Sequence, residues 1–270
     1  MILLYHIICI MPLFKNFYAK HYDLMYAAKD YGREVDFYAG LIKKYGPAGA
    51  RDVLSLGAGT LNHELILARQ GFAIDGIEIS PEMAILAAEK IKKEKLKNIR
   101  VIRADMRSFR TDKKYDAVLS MFNVVSYCEG LAGLEAVIAG AARALDPGGV
   151  LIFDFWNAEA VEKDPPQNRW AKFEKGDTQV YRLTAPRHDF VGTRPDAVCF
   201  DLEIEIMEFQ KGRCTGRERE RHRVCAWRMS DIKLILKKNG LRYEAGGRFL
   251  DMKKPISADD WPAVVVAKKY

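Results

Sequence analysis

Residues 53–60, VLSLGAGT, run from an apolar stretch into two glycines one residue apart. Val53, Leu54 and Leu56 have the density of a buried strand, and Gly57-Ala58-Gly59 then breaks it. A tight strand-to-helix turn would account for the glycines. So would a loop whose backbone N–H groups lie against a ligand at the start of a helix, where a Cβ would stand in the way. The flanking segments have to decide between the two.

They alternate. RDVLSL reads as a strand and LNHELILARQG as a helix ending at Gly71. FAIDGIEI is a second strand, and Ser80-Pro81-Glu82 opens the next helix as N-cap and N1 proline. IRVIRAD and YDAVLSMF are the third and fourth strands, GLEAVIAGAARAL is a helix, and Pro147-Gly148-Gly149 turns into the fifth strand, VLIFDFW. Strands and helices trading places about every 20 to 30 residues predict a doubly wound, mostly parallel sheet, with its ligand at the carboxyl ends of the strands. Ahead of it, residues 17–46 predict two tyrosine-rich helices ending at Gly46-Pro47.

The pattern changes after Trp156. Residues 157–186 begin with loop chemistry around Pro165-Pro166, and TQVYRLTA, AVCFDLEIEIMEF and RERHRVCAW alternate as half-exposed antiparallel strands do. SDIKLILKKNG follows as a helix with Ser230 as N-cap and Gly240 past its end, and LRYEAGGRFLD and WPAVVVAKK close the sheet as its sixth and seventh strands. The predicted organisation is an N-terminal extension over 1–14 with Met11 as an alternative start, and an α/β core over 15–156 and 229–270 carrying an N-terminal helical cap. An antiparallel β insertion over 157–228 forms a substrate lid before the last helix.

Composition sets outer limits. The chain has 270 residues, 49% hydrophobic and 29% charged, which is ordinary for a globular protein. A net charge of +7 admits an acidic ligand without identifying one. Cys9, Cys128, Cys199, Cys214 and Cys225 are odd in number and form no CxxC pair, which argues against a disulfide framework or a zinc knuckle and for a reducing, cytoplasmic setting. The apolar N-terminus is shorter than the roughly 20 residues of a membrane span and lacks the marks of a signal peptide, so no membrane partner is expected.

Three further strand ends favour the ligand. Asn62 stands where a dinucleotide fingerprint would have its third glycine, so a pyrophosphate cofactor is disfavoured. Glu78 ends the second strand, where a carboxylate can accept from both hydroxyls of a ribose. Asp105 ends the third, placed for an adenine amino group, with the N–H of Met106 beside it. Met121, Phe122 and Asn123 follow the fourth.

VLSLGAGT, GIEIS, RADM, YDAVLSMFN and LDPGGVLIFD together resemble the class I S-adenosylmethionine-dependent methyltransferases. The tyrosine-rich YDLMYAAKDY and the arginine-histidine strand RERHRV resemble, within them, the small-molecule subgroup that contains the nucleotide-sugar N-methyltransferases. The resemblance implies a seven-stranded Rossmann-like methyltransferase sheet, S-adenosyl-L-methionine as cofactor and S-adenosyl-L-homocysteine as product. It implies a cofactor site at Tyr22, Tyr31, Gly57, Ala58, Gly59, Leu61, Glu78, Ile79, Asp105, Met106, Met121, Phe122 and Asn123. The chain departs from the family twice. Ser55 replaces the usual first-strand acid, which predicts weaker cofactor binding or compensation by a tyrosine. Leu61 replaces the third glycine of the loop, tolerable if its φ is negative.

Methyl transfer from a sulfonium asks for alignment, exclusion of water and, for some nucleophiles, a base. No metal is needed, and His63-Glu64 does not extend to an HExxH motif. The catalytic candidates are Tyr127 after the fourth strand, His222 on the insertion and Tyr26 from the N-terminal helices, with Asp154 and Trp156 nearby; His21, His63 and His188 read as structural. Lys90, Lys92, Lys93, Lys95 and Lys97 read as a solvated helix face, and Arg219, Arg221 and Arg223 as candidates for an acceptor's diphosphate. The expected reaction is metal-free, in-line methyl transfer to a small-molecule acceptor, an amino sugar or nucleotide-linked sugar, by a chain that could form a homodimer. The alternatives are RNA or protein methylation and cofactor binding without catalysis; amino-methylation of flipped bases is disfavoured because SMFN lacks the prolines of that branch, while the basic chain leaves RNA methylation by another chemistry open.

Overall fold

In the computed structural model the described residues are 13–187, 193–194 and 197–270; the start of the N-terminal extension, with Met11, and His188 lie outside them. Two helices, α1 (Asn16–Met25) and α2 (Tyr31–Tyr45), precede the alternation. It runs β1 (Asp52–Leu56), α3 (Asn62–Arg69), β2 (Ala73–Glu78), α4 (Pro81–Glu94), β3 (Ile99–Arg103), β4 (Tyr115–Ser120), a 3₁₀ turn (Val124–Cys128), α5 (Leu131–Ala144) and β5 (Leu145–Trp156). The insertion supplies α6 (Ala158–Lys163) and strands β6 (Arg169–Lys175), β7 (Thr178–Pro186), β8 (Thr193–Arg194), β9 (Ala197–Gln210) and β10 (Arg213–Ala226). The chain closes with α7 (Met229–Lys238), β11 (Leu241–Arg248) and β12 (Pro262–Lys269).

Seven strands form one sheet in the order β11-β12-β5-β4-β1-β2-β3. All neighbours are parallel except β12, which runs against both β5 and β11. The order reverses at β1, flanked by β2 and β4, so the carboxyl ends of β1 and β4 open a crevice there. The doubly wound, seven-stranded expectation holds. Period-two alternation divides the core between the faces: Leu54 and Leu56 pack with α5 and α7, while Val53 packs with α2 and α3.

The insertion forms a second sheet, β10-β9-β7-β6 with β8 alongside β9. Its inner face, with Ile204, Ile206 and Val224, packs on Tyr18 and Met25 of α1. Carboxylates reinforce the contact. Glu220 accepts the backbone N–H of Phe14 (2.8 Å) and Lys15 (2.7 Å), and Glu218 those of Phe17 (3.0 Å) and Tyr18 (3.3 Å). The N–H groups of Lys15, Phe17 and Tyr18 are orphan donors of a helix start that has no side-chain cap of its own.

Several expectations change. β6 lies in the stretch read as loop: its residues are mostly exposed, it pairs only with β7, and two prolines precede it, so its alternation is masked. α7 begins at Met229 with Arg228 as N-cap, which puts Ser230 inside the first turn. Phe14, assigned to the extension, packs on Tyr127 and His222. Cys199 and Cys225, 26 residues apart in sequence, face each other in the β9–β10 register and are joined by a disulfide. Residue spacing could not reveal that pairing, because the register creates it.

Gly76 on β2 sets how closely the glycine loop packs. A Cβ there would lie 2.9 Å from the Ala58 Cβ and 3.0 Å from Leu61 Cδ2. Gly76→Ala is therefore expected to destabilise the fold by about 1–3 kcal/mol in urea unfolding through overpacking; an unchanged midpoint would show that the loop does not depend on this contact.

Candidate functional site

The β1 loop is built from left-handed turns. Gly57 (φ +67°) and Gly59 (φ +55°) occupy conformations that favour glycine. A Cβ on Gly57 would meet Val124 Cγ1 at 2.3 Å, so the glycine also admits the loop after β4. Leu61 has φ +66°, so the condition of a negative φ, under which a leucine is easily tolerated there, is not met. Its side chain is fully buried in the α2–α3 core, and burying a leucine contributes about 1.5–3 kcal/mol against a left-handed penalty of roughly 1–2 kcal/mol. Leu61 thus serves packing and does not line the cavity described below.

Glu78 holds this loop. Its carboxylate, 5% exposed, accepts the N–H of Gly59 (2.8 Å) and of Ser80 (2.7 Å). Burial raises its pKa, with the backbone N–H groups of Ser80, Gly59 and Ile79 opposing. On the far side of the loop, Lys90 bridges Asp23 (2.7 Å), Thr60 (2.9 Å) and Asn62 (2.7 Å), tying α1 to the start of α3. Lys90 is therefore set apart from the solvated lysine face to which its sequence assigns it.

After β4 the chain turns through Phe122 (φ +71°) and Asn123 (φ +57°) into the 3₁₀ turn. Buried Asp154 on β5 fixes this turn by accepting the Asn123 N–H (2.9 Å). Burial pushes the Asp154 carboxyl up to about 6. Asp154 is absent from the cavity wall and acts as an anchor. At the end of β3, burial tends to raise the Asp105 carboxyl, but Arg107 holds it below its ordinary value through its N–H (2.8 Å) and guanidinium (2.7 Å). An adenine amino group would have to share Asp105 with Arg107.

These elements enclose one cavity of about 500 Å³, within the usual range for small-molecule sites. It brings together Tyr22, Tyr26, Tyr31, Gly57, Ala58, Gly59, Glu78, Ile79, Asp105, Met106, Met121, Phe122, Asn123, Tyr127 and Trp156. Tyr22 and Tyr26 stand one helical turn apart with ring centroids 4.8 Å apart, and Tyr26 packs edge-on against Phe122. Arg182 from β7 donates to the Tyr26 hydroxyl (2.9 Å). Tyr31 accepts from Asn62 (3.1 Å), and burial pushes its hydroxyl up to about 12.

His222 is fully buried and does not line the cavity. It stands behind Tyr127, whose hydroxyl lies 3.1 Å from Nδ1, while Nε2 lies 2.9 Å from Glu220. The reason is register: His222 faces the α1 side of β10, where Phe14 and Tyr18 cover it. Arg219 and Arg221 are likewise absent from the cavity. They pair with Glu203, Glu205 and Asp201 across the β9–β10 ladder, and Arg223 does not line the cavity either.

The sequence reading missed Glu64, Arg182, Arg169 and Trp170, all of which line the cavity. Trp170 and Arg169 sit on the strand read as loop. Glu64 carries a signal, an acid in the helix turn nearest a strand that lacks its own, which the incomplete metal motif around His63-Glu64 masks. Among the described residues no group of His, Cys, Asp and Glu has a metal-binding arrangement. The glycine cradle and the Glu78 carboxylate suit a nucleoside with a ribose, and the aromatic wall suits a flat or cationic partner.

Known proteins resemble this chain in sequence and in fold. Residues 53–149 match the family described as "Methyltransferase domain". A dTDP-3-amino-3,4,6-trideoxy-alpha-D-glucopyranose N,N-dimethyltransferase of Streptomyces venezuelae is 33% identical over 52% of this chain and 57% of its own length, so the chain spans little more than half of that relative. A dTDP-3-amino-3,6-dideoxy-alpha-D-glucopyranose N,N-dimethyltransferase of Streptomyces fradiae is 26% identical over 84% of each chain. Among solved structures, an S-adenosylmethionine-dependent methyltransferase of Clostridium acetobutylicum superposes with a TM-score of 0.76 at 19% identity, covering 94% of this chain and 97% of its own. Residues 53–149 thus carry a methyltransferase domain, and the cofactor of the class I enzymes that the chain resembles is S-adenosylmethionine.

The buried Asp154 anchor makes a pH prediction. Folded, its carboxyl holds a proton to about pH 6; unfolded, it releases it near the ordinary 3.8. Between those values the folded state binds more protons, so this group makes stability fall as pH rises from about 4 to about 6. Asp154→Asn keeps an acceptor for the Asn123 N–H and removes the slope. The variant is expected to gain roughly 2 kcal/mol on the native chain between pH 4 and pH 7 in urea unfolding; a pH-independent difference would contradict it.

Proposed function

We propose that this chain transfers a methyl group from S-adenosylmethionine to the amino group of a small-molecule acceptor, an amino sugar carried on a nucleotide, with residues 157–228 as the lid over that acceptor. The observation that carries the proposal is a single cavity with two unlike ends: the glycine loop with Glu78 at one, and tyrosines under the antiparallel sheet at the other. The two dimethyltransferase relatives act on amines of dTDP-sugars, which supports an amine nucleophile. Arg169 and the 71% exposed Trp170, on the lid strand β6, offer a cation and an aromatic face to a nucleotide.

The cofactor, when bound, supplies a methyl group on a sulfonium, from which an unprotonated amine displaces the thioether in line. The chain's residues align the partners and move one proton. Gly57, Ala58 and Gly59 present backbone to the cofactor, Glu78 meets its ribose, and Ile79, Asp105 and Met106 border its base. Met121, Phe122 and Asn123, held by Asp154, form the wall beneath the reacting atoms, and Tyr22, Tyr26 and Tyr31 close it from above. Tyr127 faces the acceptor. With its Nε2–H donated to Glu220, His222 offers Nδ1 to the Tyr127 hydroxyl. As the nitrogen–carbon bond forms, the Tyr127 oxygen accepts the departing N–H proton and passes its own to His222, leaving an imidazolium beside the Glu220 carboxylate.

The test is transfer of labelled methyl from S-adenosylmethionine to a panel of dTDP-sugars. The expected result is up to two methyl groups on a 3-amino sugar and none on its 3-hydroxy counterpart, with Tyr127→Phe lowering kcat by roughly 100-fold. Labelling of RNA or protein in preference to the amino sugars would overturn the acceptor class, and full activity in Tyr127→Phe would overturn the relay.

A further inference from the structure

The cavity floor holds a carboxylate that the methyl-transfer account does not use. Glu64, in the first turn of α3, is 3% exposed and lines the cavity beside the glycine loop. Its Oε1 accepts the hydroxyl of Ser55 at 2.6 Å, and its Oε2, fully enclosed, has no hydrogen-bond partner. Burial raises the carboxyl above its ordinary value, with His63, Ser55 and Lys90 opposing. A buried carboxylate with an idle oxygen is expensive unless a cation or donor meets it. His63, the adjoining histidine, is already engaged, its Nε2 2.8 Å from Glu34. The missing partner is therefore a group that a ligand brings.

We infer that Glu64 is a cofactor-binding residue that receives the α-ammonium of the cofactor's amino-acid end, supplied from α3 because β1 carries Ser55 in place of an acid. The placement follows from the strands. Glu78 ends β2 and fixes the ribose end of the site, while Ser55 lies on β1, between β2 and β4. A ligand laid over Gly57 and Gly59 with its ribose at Glu78 extends its other end toward Glu64, between Tyr22 and Tyr31. Ser55 makes the arrangement workable. Its hydroxyl fixes one Glu64 oxygen and leaves the other for the ligand, whereas a carboxylate at position 55 would set two like charges against each other. The two departures from the family's loop are thus of different kinds: Leu61 is a packing residue, and Ser55 is half of a relocated carboxylate.

The inference rests on S-adenosylmethionine as cofactor, and the test separates the two. Calorimetric titrations compare S-adenosylhomocysteine with 5′-methylthioadenosine, which keeps the adenosine and the thioether and lacks the amino-acid end. In Glu64→Gln, S-adenosylhomocysteine is expected to bind at least tenfold more weakly than to the native chain, with 5′-methylthioadenosine changed less than twofold. Glu64→Leu, which removes the buried charge outright, is expected to melt about 2–4 °C higher than the native chain without ligand while showing the same selective loss. Equal weakening of both ligands, or unchanged S-adenosylhomocysteine affinity, overturns the role of Glu64 and leaves the cofactor standing. Failure of the native chain to bind either ligand overturns the cofactor reading and the inference with it.

Discussion

The architecture of the site depends on one carboxylate gripping two backbone amides. Glu78, at the end of β2, accepts from Gly59 in the β1 loop and from Ser80 at the start of α4. Those bonds fix the loop over the end of the sheet and keep the Gly57–Val124 contact, through which the β1 loop meets the loop after β4. The crevice at the strand-order reversal has its walls set by these contacts. Remove the grip, and the left-handed residues Gly57, Gly59 and Leu61 lose the partner that holds their loop in place.

Carboxylates recur as fasteners throughout. Asp154 holds the Phe122–Asn123 turn, Asp23 joins α1 to the α3 start through Lys90, and Glu218 and Glu220 hold the beginning of α1 against β10. Asp154, Glu218 and Glu220 satisfy backbone donors that a loop or helix end would otherwise leave unpaired. Glu220 binds both the backbone of Phe14 and Lys15 and the ring of His222, so the same carboxylate anchors the start of α1 and orders the Tyr127–His222 pair. The start of α1, strand β10 and the Tyr127 end of the cavity form one hydrogen-bonded unit.

Much of this was legible in the sequence because it is local. The strand–glycine–helix passage, the acids at the ends of the second and third strands and the Ser80-Pro81 helix start are read from neighbouring residues, and they locate the sheet, its switch point and the glycine-loop end of the cavity. What escaped is set by pairing across long separations. The burial of His222 behind Tyr127 follows from β10 register, 95 residues from its partner. The Cys199–Cys225 bridge and the ion pairs of Arg219 and Arg221 come from the same ladder. Strand β6 was hidden by its exposed, charged residues, and Trp170 and Arg169 with it. Glu64 is in plain view in the sequence, but its pairing with Ser55, nine residues away, appears only once α3 folds back over β1.

The central claim is that the glycine loop and Glu78 form an S-adenosylmethionine site. Calorimetric titration of the native chain and of Glu78→Gln with S-adenosylmethionine tests it most directly. Micromolar binding by the native chain, weakened at least tenfold in the variant while its melting transition stays cooperative, is the predicted result. Native affinity undiminished in Glu78→Gln would contradict the account, because the cofactor would then be held by something other than the carboxylate around which the site is built.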